Sequence, residues 1–183
     1  MEKHTYEFSQ YDNFQEKNMN VQLKTVTADQ KEILNNLMEK YLYEFSQYDG
    51  YAFDETGLFR DSSVKRYFTE QNRYPYFIYV NHKLAGFAFV YKRAECDAPL
   101  DWAIGEFFVS YPYRKSGVGT IVMNQLFEQY KGIWQIKYHP KNTGSEIFWQ
   151  KIANEASKDG FEIMRGKEDY YDGTPSKVLV FKV

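Results

Sequence analysis

Apolar and polar residues alternate from Val21 to Val26, the two-residue period of a strand. The period then lengthens: Ile33, Leu34, Leu37, Met38, Tyr41, Leu42 and Phe45 recur on one face of a predicted helix, and Thr27 with Gln30 has capping-box spacing at its start. A turn-rich stretch through Asp49-Gly50 and Thr56-Gly57 leads to a shorter helix, capped near Asp61, with Val64, Tyr67 and Phe68 inward. Tyr76 to Val80 and Leu84 to Tyr91 read as a hairpin around Asn81-His82-Lys83, and Trp102 to Val109 as a further strand. Ile121, Val122, Met123, Leu126, Phe127 and Tyr130 then form a wide apolar helix face, opposite Thr120, Asn124, Glu128 and Lys131. Ile133 to Tyr138 is a strand. Phe148, Trp149, Ile152, Ala153 and Ala156 stripe a second helix, which Asp159-Gly160 closes. Strands Phe161 to Arg165 and Val178 to Val183 finish the chain, separated by a polar loop over 166–176. This order predicts an α/β (α+β) architecture, a mixed sheet with helices on both faces.

The heptapeptide Tyr-Glu-Phe-Ser-Gln-Tyr-Asp occurs twice unchanged, at Tyr6 to Asp12 and at Tyr43 to Asp49. The first copy precedes a polar stretch that ends beside Met19, so residues 1–18 read as an appendage and 19–183 as a single domain. A length of 183 residues suits one continuous core. The net charge of -2 supplies no field that would draw the chain to nucleic acid or anionic lipid. Aromatics make up 19% of the residues against a mean hydropathy of -0.65, which points to an aromatic core and clefts rather than membrane burial. No apolar run approaches the length of a membrane span, no secretory signal is evident, and the lone Cys96 has no intrachain disulfide partner, so a cytoplasmic location is expected. Glu95 and Asp97 flank Cys96 and would raise its thiol pKa, so it reads as inert. His4, His82 and His139 fall in different elements without ligand spacing, and no metal is expected. His139 reads as a solvated loop histidine.

The chemistry concentrates on Glu106 to Gly119, a strand that turns at Pro112 and runs through Arg114-Lys115-Ser116-Gly117-Val118-Gly119-Thr120 into a helix. The first amides of a helix have no internal partner, and glycines let an anion approach them while the dipole favours negative charge. A basic strand-to-helix turn without a ligand would look similar. The phosphate loop Gly-x-x-x-x-Gly-Lys-Ser/Thr is absent, and the dinucleotide pattern would need a third glycine where Val122 stands.

Arg114, Gly117 and Gly119 match Arg/Gln-x-x-Gly-x-Gly/Ala, the loop signature of the GNAT superfamily of acyl-CoA-dependent N-acetyltransferases, which this chain resembles. Asn142 and Trp149 match that family's Asn followed seven residues later by an aromatic, and the element order from Val21 to Val183 agrees. Tyr41 to Ser46 and Gly57 to Phe59 also look like segments of uncharacterised predicted acetyltransferases. The resemblance implies a mostly antiparallel sheet with a splayed parallel pair, Trp102 to Val109 beside Ile133 to Tyr138. It implies acetyl-CoA as the donor, with backbone groups of Phe108 and Val109 on the pantetheine arm, Arg114 to Thr120 on the pyrophosphate, and Asn142 and Trp149 beside the cofactor. The acceptor would be a primary amine of a small molecule or peptide.

Attack of an amine on a thioester needs a deprotonated amine, a polarised carbonyl and a protonated leaving group. Val109 N–H could polarise the carbonyl. Glu106, on the same strand in an apolar stretch, is the candidate base because burial would raise its pKa, although pairing with a basic group or facing solvent is the alternative. Many family members carry Tyr where Trp149 stands and use it as the acid. Indole cannot serve, which leaves Tyr138, Tyr171 or solvent. The acceptor site is expected among Tyr41 to Phe45, Asp49 to Glu55 and Glu168 to Asp172, whose acids invite a cationic amine and whose aromatics could equally form a homodimer contact. A non-catalytic acyl-CoA-sensing module of the same fold is the competing function.

Overall fold

A computed structural model describes residues 19–59 and 63–183. The appendage, with the first heptapeptide copy and His4, lies outside the described residues, as does the expected cap at Asp61. The elements run β1 (Val21–Thr25), α1 (Lys31–Asp49), α2 (Ser63–Thr69), β2 (Arg73–Val80), β3 (Lys83–Tyr91), β4 (Trp102–Val109), α3 (Val118–Gln129), β5 (Ile133–Tyr138), α4 (Thr143–Ala156), β6 (Phe161–Arg165) and β7 (Lys177–Lys182). They build one seven-stranded sheet of order β1-β2-β3-β4-β5-β7-β6, antiparallel throughout except for β4 beside β5.

Alternation along the central strands separates two cores, as a two-residue period requires. Phe77, Phe87, Phe89 and Tyr91 pack against Leu34 and Met38 of α1 and Val64 and Tyr67 of α2. Their neighbours Ile78, Val80, Ala88 and Val90 face Val122, Met123 and Leu126 of α3 and Ile152 and Ala153 of α4. Gln30 closes the first helical turn as expected, its side chain accepting from Thr27 N–H at 3.2 Å. Cys96 is buried against Met164, with the two sulfurs 3.9 Å apart.

Two boundaries differ from the periodicity. Asn81 and His82 both take positive φ, 49° and 65°, so the hairpin closes through a two-residue mirror-image turn and Lys83 belongs to β3. Strand β2 starts at Arg73 and passes through Pro75, because the last β1 pair is Thr25 with Tyr76 and no ladder donor is required at the proline.

Burial raises the Tyr41, Tyr67, Tyr91, Tyr130 and Tyr170 phenols above their ordinary range. The folded chain therefore holds these protons more tightly than the unfolded chain. Their contribution to stability is complete below about pH 10 and is lost as pH rises above it. Thermal melts should show a melting temperature nearly flat to about pH 9 and falling steeply beyond about pH 10.

Candidate functional site

The sheet opens at its middle. Strands β4 and β5 pair only at Trp102–Trp134, Ala103–Gln135 and Ile104–Ile136. Beyond them two residues of β4, Gly105 and Glu106, oppose the single Phe89 of β3, a bulge that bends β4 away from β5. Phe107, Phe108 and Val109 stay registered with β3. Ser110 N–H bonds Ala85 C=O at 2.8 Å, so the ladder's alternation turns the polar backbone groups of Phe108 toward β3 and those of Val109 toward the gap. The gap widens into a cleft of about 820 Å³, walled by the end of α1, the bulge, the 110–119 turn, the end of β5, the start of α4 and Tyr170.

The turn after β4 is set residue by residue. Pro112 sits in a one-turn 3₁₀ helix, Tyr111–Tyr113, closed by Tyr113 N–H to Ser110 C=O at 3.0 Å. Ser116 Oγ donates to Tyr113 C=O at 2.8 Å. Gly117 caps α3 at φ 83°, a left-handed conformation that a side chain disfavours. At Gly119 a Cβ would lie 3.0 Å from the ring of Phe148, so glycine lets α4 close on α3. The amides of Val118, Gly119 and Thr120 begin the helix without partners inside it, since the first helical bond is Ile121 N–H to Gly117 C=O. Arg114, Lys115 and Gly119 wall the cleft, whereas Ser116, Gly117, Val118 and Thr120 do not.

Arg114 is placed differently from an anion-facing guanidinium. It forks onto Glu44 of α1 at 2.9 and 2.7 Å, and its Nε donates to Val109 C=O at 2.5 Å. The positive charge is thus partly spent on tying α1 to the turn, and the backbone is what the loop offers an anion. Glu44→Gln should lower the urea midpoint by an amount equivalent to about 1 kcal/mol, since the pair is only partly buried.

Glu106 stands half-buried in the cleft wall, and Tyr41 donates to its Oε2 at 2.5 Å. Burial and the Glu106 charge both raise the Tyr41 pKa, so the phenol keeps its proton and holds the carboxylate in place. Tyr138 also faces the cleft and donates to Glu146 at 3.1 Å. Tyr171 is 79% exposed and outside the cleft. Its neighbour Tyr170 is the tyrosine the loop carries inward, with its pKa raised first by burial and then by Glu106. Asn142 caps α4, accepting from Ser145 N–H at 3.0 Å, and Trp149 is buried edge-on to Phe107 at 5.2 Å between ring centres. Both line the cleft. His139, expected in solvent, is buried because Phe45, Tyr48 and Tyr170 enclose its ring. Neither the Tyr41–Glu106 bond nor the Glu44–Arg114 fork has a local signal, since they span 65 and 70 residues.

A family model described as the acetyltransferase (GNAT) family matches residues 31–153. No curated protein sequence matches the chain. Among solved structures, an acetyltransferase from Thermus thermophilus is similar at 11% identity and a TM-score of 0.64, over 89% of this chain and 97% of that one. A GNAT-family acetyltransferase from Streptococcus agalactiae is similar at 15% identity and 0.64, over 89% and 95%. The ribosomal-protein-S18-alanine N-acetyltransferase from Escherichia coli is similar at 12% and 0.57, over 90% and 94%. At these identities the structures establish a shared fold.

Proposed function

Because the chain belongs to the GNAT acetyltransferase family, we propose that it moves an acetyl group from acetyl-CoA directly to a primary amine of a small molecule or peptide. The observation that carries this reading is the parting of β4 from β5 after Ile104, which leaves the polar backbone of Val109 facing a cleft that also holds Glu106 and ends at the start of α3. A thioester supplies an activated acyl carbon. What the protein adds is position and charge.

The residues fit a long, flexible diphosphate ester. The Gly119 amide borders the cleft and, with those of Val118 and Thr120 beside it, suits the diphosphate; Lys115 adds charge, and Asn142, Phe148 and Trp149 also line the cleft. Val109 N–H, turned toward the gap, would donate to the thioester oxygen. Glu106, directly or through a water, takes the proton that the ammonium must lose before nitrogen attacks. The N–C bond then forms as the C–S bond breaks, and the departing thiolate takes a proton from Tyr138 or solvent, since burial and the Glu106 charge make Tyr170 too weak an acid and the Trp149 indole is weaker still. Glu106, set among Tyr41, Phe45, Tyr48 and Tyr170, suits a cationic amine on an apolar body.

Thiol release from acetyl-CoA, measured across a panel of primary amines, tests the proposal. Release that depends on the amine and yields the N-acetyl product is the expected result. Saturable CoA binding with no release for any amine would point instead to an acyl-CoA sensor of the same fold.

A further inference from the structure

Three side chains distant in sequence converge at the edge of the cleft, where α1 ends, β5 ends and the β6–β7 loop folds back; Asp49 and His139 line the cleft and Asp172 lies behind them. Asp49, His139 and Asp172 each present one atom able to bind a metal, and these atoms all lie within 4.8 Å of one another. His139 is the decisive member. Its side chain is 0% exposed, and its Nε2 is buried with no hydrogen-bond partner among the described residues, 3.7 Å from Asp172 Oδ1. A buried polar atom left in that state is costly unless something satisfies it.

The carboxylates call for a cation as well. Asp49 is buried and closes α1, the end of a helix where the dipole disfavours an anion. Its Oδ1 accepts a long hydrogen bond from Asp172 N–H, 3.4 Å, and no lysine or arginine among the described residues pairs with it. Asp172 is held by Thr174, whose N–H donates to Oδ1 at 2.8 Å and whose hydroxyl donates to Oδ2 at 2.8 Å, while Lys141 Nζ also donates to Oδ2. One exposed ammonium therefore stands against two carboxylates.

We propose that Asp49, His139 and Asp172 bind a divalent transition-metal cation, the borderline Zn²⁺ or the harder Mn²⁺, through Nε2 and one oxygen of each carboxylate. An imidazole among the ligands selects these ions over Mg²⁺ and Ca²⁺, which take oxygen ligands. Bonds of about 2.1 Å at tetrahedral angles set ligand atoms about 3.4 Å apart, so the three side chains draw together on binding. Nδ1 of His139 accepts from Lys141 N–H at 3.1 Å, which puts the ring proton on Nε2. Metal binding through Nε2 moves that proton to Nδ1, so Lys141 N–H loses its acceptor and the turn at Pro140 shifts with metal uptake. The bound ion clips the end of α1 and the 166–176 loop to the end of β5. Asp49, His139 and Tyr170 all wall the cleft, so the clip fixes the side the acceptor would enter.

The test uses tag-free full-length protein, stripped with a chelator and titrated by calorimetry with Zn²⁺, Mn²⁺ and Mg²⁺ in turn. Zn²⁺ or Mn²⁺ should bind one per chain and raise the melting temperature, with Mg²⁺ about a hundredfold weaker. Asp49→Asn and Asp172→Asn should each weaken binding about tenfold or more, judged on variants that still melt cooperatively. Co²⁺ should give a visible absorption band that is lost in Asp172→Asn, whose loop position leaves the core intact. No saturable binding of Zn²⁺ or Mn²⁺, or binding unchanged in both variants, overturns the proposal. CoA affinity measured on the same samples keeps this result separate from the acyltransferase reading.

Discussion

Glu106→Gln should lower kcat/KM for the acceptor amine by about 10²- to 10³-fold while leaving CoA affinity unchanged. The substitution keeps the shape and the hydrogen bond from Tyr41 but removes the ability to take a proton, and with it the charge that attracts the ammonium. The loss corresponds to about 3 to 4 kcal/mol of transition-state stabilisation. It should shrink toward high pH, where free amine is abundant and deprotonation no longer limits the rate. Steady-state kinetics across pH, with thiol release as the readout, measure both features. Turnover unchanged in Glu106→Gln at every pH would remove the carboxylate from the mechanism. Tyr41→Phe should fall between the two, because it loosens the carboxylate without deleting it.

The second large effect is expected at the turn. Gly117 adopts φ 83°, and valine there would cost about 1 to 2 kcal/mol of backbone strain. Because the strain sits at the helix cap, the chain relieves it by re-aiming the amides of Val118, Gly119 and Thr120. CoA should then bind about tenfold or more weakly, with a smaller change in melting temperature than the strain alone would give. Calorimetry beside a thermal melt distinguishes this from simple unfolding, in which both would collapse together.

The sequence carried the layered architecture because its signals are local. Alternation in β3 and the Ile133–Tyr138 run, and the helical stripes of α1, α3 and α4, each reflect one element meeting one face of the sheet. The glycine turn was legible for the same reason, since Gly117 and Gly119 answer short-range demands of φ and close approach. What was not legible depends on contacts across the fold. Arg114 reads as an anion ligand in isolation, but Glu44 lies 70 residues away and captures its guanidinium. Tyr171 and Tyr170 are indistinguishable as letters in a polar loop, and only the course of that loop turns Tyr170 inward and leaves Tyr171 in solvent. His139 looked solvated beside Pro140, yet α1 and the loop bury it from both sides. The site residues themselves sit on elements that periodicity located, and their partners required the tertiary structure.

The central claim is that the parted strands lead a diphosphate ester onto the start of α3, and calorimetric titration with CoA and with pantetheine, which lacks the diphosphate, tests it most directly. CoA should bind one per chain with a dissociation constant of about 1 to 100 μM, and pantetheine about tenfold or more weakly. Equal affinity for the two, or no saturable heat with CoA, would contradict the account.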